Sequence, residues 1–395
     1  MSRSSPRTQW SVRVPDTAIR SAEIYAPPAA VEPHAAPAPQ TNPQTAPEAA
    51  ARIAELDGLR ALSIGVVLIG HSGSVAGHPP WLAPLRTVGV IGVELFLTIS
   101  GFIITHLMVR EQQRCGRLNL RYFWARRALR ILPPLAAMMG GFAVAAAAGV
   151  FYWSWPSFFS ALTFTRNLPI FGTDWFFGHT WSLSIEEQFY AIWPLLFVGF
   201  RARRNLARGL FGVILLAPMV ALVCEFHWAP VRNLLPFVPY LAVGCLLALL
   251  MHGECSELRR RLQALPHRGF FLAALIIAAC AAAWLRNQHR EPWLWVPLDA
   301  SLMPATLFLL LAETALLRAR WTRLLAWTPL RALGLWSYSI YLWQQLFFGP
   351  DGVYHRHWVW STWPFNVAAA LACGALSYWL IERNSGRLKS ILRLG

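Results

Sequence analysis

From residue 60 onward, stretches of apolar residues alternate with short polar intervals. Apolar runs fall near 60–77, 88–109, 131–150, 188–200, 210–227, 237–252, 269–285, 297–317, 332–349 and 363–381. A helix rises about 1.5 Å per residue, and the hydrocarbon of a bilayer is about 30 Å thick. The pattern therefore predicts an all-α polytopic membrane protein with about ten transmembrane helices. The fourth run is short, and 151–185 is too polar to span cleanly; irregular backbone at membrane depth is tolerated where protein lines it. Residues 1–52 are of another kind, rich in Pro and Ala and without an apolar run. Segments such as 26–39 bury too little apolar surface to offset the entropy of ordering, so a disordered cytoplasmic tail is expected. The division follows as tail 1–52, transmembrane domain 53–383 and basic cytoplasmic tail 384–395.

Charge orients the spans. If the N-terminus is cytoplasmic, the intervals assigned to that side hold 23 basic residues and those on the other side 6. The interval 110–130 alone has seven: Arg110, Arg114, Arg117, Arg121, Arg126, Arg127 and Arg130. Cytoplasmic loops carry such an excess, so both termini are predicted to be cytoplasmic.

Composition agrees with lipid as the solvent: 56% of residues are hydrophobic and 14% charged, a combination rare in soluble domains of this size. The net charge of +16 comes in short arginine clusters between apolar runs, which argues against a nucleic-acid surface. The six cysteines show no CxxC or zinc spacing, and no metal site is expected.

Ionisable residues inside apolar spans are costly, so each is a functional candidate. His71 ends the run Leu62-Ser-Ile-Gly-Val-Val-Leu-Ile-Gly-His71, about 16 Å from Arg60 by helical rise. A neutral imidazole can take a proton near pH 7 and return it, as acyl transfer to an alcohol requires; it can also serve packing alone. Glu94 can orient a histidine or partner an arginine. Asp57 and Arg60 share a helical face just before the first span and read as an ion pair or as a donor contact. Arg127 and Arg130, three apart, project together; guanidinium forks suit phosphate, whereas simple anchoring to anionic lipid is the plainer account. In His179-Thr-Trp-Ser-Leu-Ser-Ile-Glu186-Glu187, Ser184 and Glu187 have the spacing of a helix capping box, which leaves Glu186 free for an acceptor hydroxyl or for His71. Tyr338 and Tyr341 form one helical stripe and read as aromatic packing.

Five segments together resemble the membrane-bound acyltransferase 3 family, which includes bacterial O-antigen, exopolysaccharide and Nod-factor O-acetylases. They are Leu56-Asp-Gly-Leu-Arg-Ala with His71, the run Gly92 to Ile104, Arg126-Arg-Ala-Leu-Arg-Ile-Leu-Pro133, Trp181-Ser-Leu-Ser-Ile-Glu-Glu-Gln-Phe-Tyr190, and Ser337-Tyr-Ser-Ile-Tyr-Leu-Trp343. They occur in family order and cover residues 55–383. The resemblance implies a ten-helix core in an inner membrane, with acyl-CoA, most simply acetyl-CoA, approaching from the cytoplasm as co-substrate. It implies a carbohydrate acceptor on the far side: exopolysaccharide, lipopolysaccharide or a lipo-oligosaccharide. His71 would be the catalytic centre, with Glu94 and Glu186 as further catalytic candidates. Arg60, Arg127 and Arg130 would contact the donor, and Trp181, Ser182, Tyr190, Tyr338 and Tyr341 would contact substrate. Two positions depart from the pattern. Relatives often read Tyr-Leu-Trp-His where this chain has Gln344, and a side chain that cannot titrate bears on any proton relay there. The family's Glu-Arg-Pro appears as Glu382-Arg383-Asn384. With the sequence ending at 395, the form without an appended esterase domain is expected.

On this reading His71 acts as a general base, or alternatively as a nucleophile carrying the acyl group. The rival class is a transporter or flippase, which also buries charge among many helices.

Overall fold

The computed structural model describes residues 53–385 apart from 169–173, 201, 228–233, 254–255, 288–291, 351 and 356–358. The expected N-terminal tail and most of the basic C-terminal tail lie outside the described residues. Every regular element among the described residues is helical. In chain order they are α1 (Ala54–Ser72), α2 (Gly89–Cys115), α3 (Leu120–Ala147), α4 (Trp155–Leu162), α5 (Thr180–Gly199) and α6 (Arg203–His227). There follow α7 (Val238–Met251), α8 (Ser256–Ala264), α9 (Arg268–Asn287), α10 (Pro292–Leu311), α11 (Thr328–Gln344) and α12 (Phe365–Ser377). Short 3-10 segments, Pro80–Val88 and Arg320–Ala326 among them, and two π turns, Ala312–Leu316 and Tyr378–Glu382, complete the set.

Five stretches are long and apolar enough to cross a membrane: Pro80–Cys115, Leu120–Ala147, Arg203–Phe226, Pro292–Leu316 and Phe365–Ser385. Leu235–Met251 and Arg268–Ala282 are apolar but shorter. Helices α1, α5 and α11 also lie where spans were expected, and they carry the polar side chains that make up the site.

Two boundaries differ from the sequence reading. The interval 110–130 is not a loop: α2 runs on to Cys115 and α3 begins at Leu120. The Asn119 side chain accepts a hydrogen bond from the Tyr122 amide at 3.2 Å, and arginine is a good helix former, so the basic stretch extends α3 by more than two turns. Arg127 and Arg130 therefore project from a helix. Likewise α5 starts at Thr180, so Ser184 is interior and caps nothing. Its hydroxyl donates to the Thr180 carbonyl at 2.9 Å and accepts from the Arg166 amide at 3.2 Å.

Helix α1 packs against both α2 and α11, and α2 packs on α7. These contacts are backbone-close because glycine sits at them. A Cβ at Gly334 of α11 would stand 1.8 Å from the Asp57 carbonyl oxygen of α1. One at Gly244 of α7 would stand 2.0 Å from the Thr98 carbonyl oxygen of α2. Association through small residues is the usual device where lipid removes the hydrophobic drive between helices. Its effect here is to hold the polar faces of α1, α2 and α11 against one another.

Candidate active site

Helices α1, α2, α3, α5 and α11 surround a pocket whose empty space, open solvent included, is about 820 Å³. Its polar lining gathers residues from all five: Arg60, Ser100, Arg127 with Arg130, Ser182 with Glu186 and Tyr190, and Ser337 with Tyr338 and Tyr341. Phe96, Leu97, Ile99 and Ile103 make an apolar wall along α2. Among the lining residues three guanidinium groups stand against one carboxylate, Glu186, so the hole favours an anion.

Several polar groups in the cavity are held by one another. Glu186 accepts hydrogen bonds from the hydroxyls of Ser100 and Tyr190. The Arg127 guanidinium lies over the Tyr190 ring, 4.8 Å from its centroid, a cation–π contact that orients the fork. Arg60 is within electrostatic reach of Arg130, Glu382, Asp57 and Glu186. Glu382 also accepts from the Ser339 hydroxyl at 2.9 Å, which ties the last π turn to α11. The Tyr338 hydroxyl donates to the Ile131 carbonyl at 3.1 Å. It does so beside Pro133 and Pro134, whose missing amide hydrogens loosen α3 there.

A second polar cluster starts at the end of this cavity and continues past it. The Tyr341 hydroxyl meets Ser182 Oγ at 2.6 Å and donates to the His179 carbonyl at 2.6 Å, and its ring packs edge-on to Phe96. Three residues further along α11, Gln344 Oε1 lies 2.8 Å from His71 Nδ1. Helical rise makes that step about 4.5 Å, so His71 lies about one turn past the cavity wall. The His71 ring is half-buried, edge-on to Trp175 with centroids 5.7 Å apart and tilted against Phe348 at 6.5 Å. His179 is buried, within electrostatic reach of His71, and its Nε2 lies 3.1 Å from the Leu342 carbonyl. Trp175 and Gln345 exchange two hydrogen bonds, at 3.2 and 2.9 Å, which fixes the segment before α5 against the end of α11.

The structure thus brings together Arg60, Arg127, Arg130, Ser182, Glu186, Tyr190, Tyr338 and Tyr341, and sets His71 a turn beyond them. It does not join His71 to Glu186, whose hydroxyl partners are Ser100 and Tyr190. Glu94 is buried within α2, at 3% exposure, and is not among the residues lining the cavity. Trp181 turns away from it and packs on the Phe237 ring at 4.7 Å. Neither Gln344, noted from sequence only as a departure from the family pattern, nor His179 was put forward as a site residue. A signal existed for the first: a polar residue three past Tyr341 in an apolar run shares its helical face.

Residues 53–382 match the family model described as Acyltransferase domain. YrhL of Bacillus subtilis (strain 168), provisionally assigned as a peptidoglycan O-acetyltransferase, is 30% identical over 317 residues, which is 73% of this chain and 47% of that protein. The O-acetyltransferase OatA of Staphylococcus aureus (strain NCTC 8325 / PS 47) is 27% identical over 319 residues, 73% of this chain and 49% of that protein. The chain spans about half the length of the curated relatives it matches. No solved structure gives a significant match.

Proposed function

The chain belongs to the acyltransferase domain family, and on that footing we propose that it transfers an acyl group, in the first place acetyl, from a coenzyme A thioester to a hydroxyl of an envelope or extracellular carbohydrate. The observation that carries this reading is the stacked arrangement: an arginine-lined cavity with an imidazole one helical turn beyond its end. In the ten-span topology with both termini cytoplasmic, Arg60, at the start of α1, faces the cytoplasm and His71 lies toward the far side. Arg60, Arg127 and Arg130 hold the phosphates of the donor, for which bidentate guanidinium contacts are suited. The apolar wall of α2 accommodates the arm that carries the thioester. Both named relatives are acetyltransferases, which weighs for the enzyme over a transporter. The inner membrane is the compartment in which a cytoplasmic thioester and an external glycan meet across one barrier.

In the transfer step the acceptor hydroxyl gives its proton to the His71 imidazole as its oxygen bonds to the acyl carbon. The carbon–sulfur bond then breaks, and the imidazolium returns the proton to the departing thiolate. Inside-out membrane vesicles loaded in the lumen with isolated envelope glycan and given radiolabelled acetyl-CoA outside test this directly. The full chain is expected to move label into the glycan, and His71→Ala to bring it to background at equal levels of folded protein. Transfer by His71→Ala at the parent rate would overturn the reading.

A further inference from the structure

We infer that Gln344 is the positioning residue of the site: it holds the His71 ring through Nδ1 and so assigns Nε2 as the nitrogen that takes the acceptor's proton. The inference rests on the acyl-transfer reading above and goes beyond it by giving a tautomer and a partner. The contact joins residues 273 positions apart, with Nδ1 and Oε1 separated by 2.8 Å. An amide oxygen can only accept, so Nδ1 carries the hydrogen and the lone pair belongs to Nε2. A histidine's reactive nitrogen is set by the hydrogen bond its other nitrogen makes.

Two features mark the amide as dedicated to the ring. Gln344 is fully buried at 0% exposure, and its Nε2 has no partner. A buried glutamine kept for packing would satisfy both ends of its amide, since an orphaned buried donor is costly. Here the oxygen end is bonded and the bond goes to the imidazole. The surroundings hold the pair in place: α11 is backbone-close to α1 at Gly334, and the Leu342 carbonyl on the same turn takes His179 Nε2.

A neutral partner also has a chemical consequence. A carboxylate at this position would stabilise the imidazolium; the amide orients the ring without adding charge. The titratable group within electrostatic reach of the His71 ring is His179, which Arg166 reaches in turn.

The test is the pH dependence of label transfer in vesicles containing Gln344→Glu, Gln344→Leu or the parent chain. With Gln344→Glu, which keeps the shape and accepts at the same atom, the acid limb of kcat/KM should move to higher pH by about one unit. With Gln344→Leu, kcat should fall about 100-fold, within the range a positioned base supplies, while the KM for acetyl-CoA stays within about twofold. An unshifted limb in Gln344→Glu would overturn the inference even if Gln344→Leu were inactive, because a packing role predicts no shift. Parent-like kcat in Gln344→Leu would overturn it as well. Activity in His71→Ala would instead sink the underlying reading, so the two failures are told apart.

Discussion

At the scale of single residues, Arg127 of the cavity is oriented by its neighbours. Arg127 lies over the Tyr190 ring, and Tyr190 in turn donates to Glu186, so the fork, the ring and the carboxylate form one chain. Lysine preserves the charge at this place but offers neither a planar face for the ring nor two parallel donors. Arg127→Lys is therefore expected to raise the KM for acetyl-CoA about tenfold with kcat changed much less, an effect of about 1.4 kcal/mol on donor binding. Initial rates against donor concentration would check it; a KM equal to the parent's would mean that charge alone is used. The same scale shows what sequence reasoning could reach. Polar residues in apolar runs drew attention to His71, Arg60, Arg127, Arg130 and Glu186, because burying them unaided is costly. Which of them touch was not legible: of the two roles open to Glu186 in sequence, an acceptor hydroxyl or His71, the second falls to Gln344.

At the scale of elements, the site depends on how closely α11 approaches α1. Gly334 permits that approach, and a methyl there would overlap the Asp57 carbonyl oxygen at 1.8 Å. Overpacking of this kind typically costs about 1–3 kcal/mol. The larger expected effect is on the transfer rate, because Gln344 and Tyr341 ride on the helix that would be displaced. Displacements near 1 Å can cost about 100-fold. Gly334→Ala should thus lower the detergent-solution Tm by several degrees and transfer by about 100-fold; parent-like values of both would show that the helices can part without consequence. Element boundaries were the least legible part of the sequence. The basic stretch before Pro133 read as a loop because charge suggested water, yet Asn119 caps it and arginine propagates the helix.

At the scale of the whole molecule, the arginine cavity and the His71 cluster lie in series, and the proposed topology gives that series a direction. Cys115 is exposed at the end of α2, on the side assigned to the cytoplasm. In a variant that keeps Cys115 as its single cysteine, a membrane-impermeant maleimide should label inside-out vesicles and leave right-side-out vesicles unlabelled. The opposite pattern would invert the topology and move the donor cavity to the wrong face. Five stretches among the described residues qualify as spans by length and apolarity, fewer than the ten read from the pattern; Leu235–Met251 and Arg268–Ala282 are apolar but shorter.

Local chemistry was enough to specify an all-helical membrane chain. Apolarity, helical rise and the cost of charge in hydrocarbon each act along the chain and need no partner. The same cost singled out the imidazole and the guanidinium groups. Tertiary structure alone decided that Gln344, not a carboxylate, meets His71, that Glu186 stays among the arginines, and that Trp181 turns to Phe237. Those outcomes depend on distances between residues far apart in sequence, which only the close packing of glycine-faced helices sets.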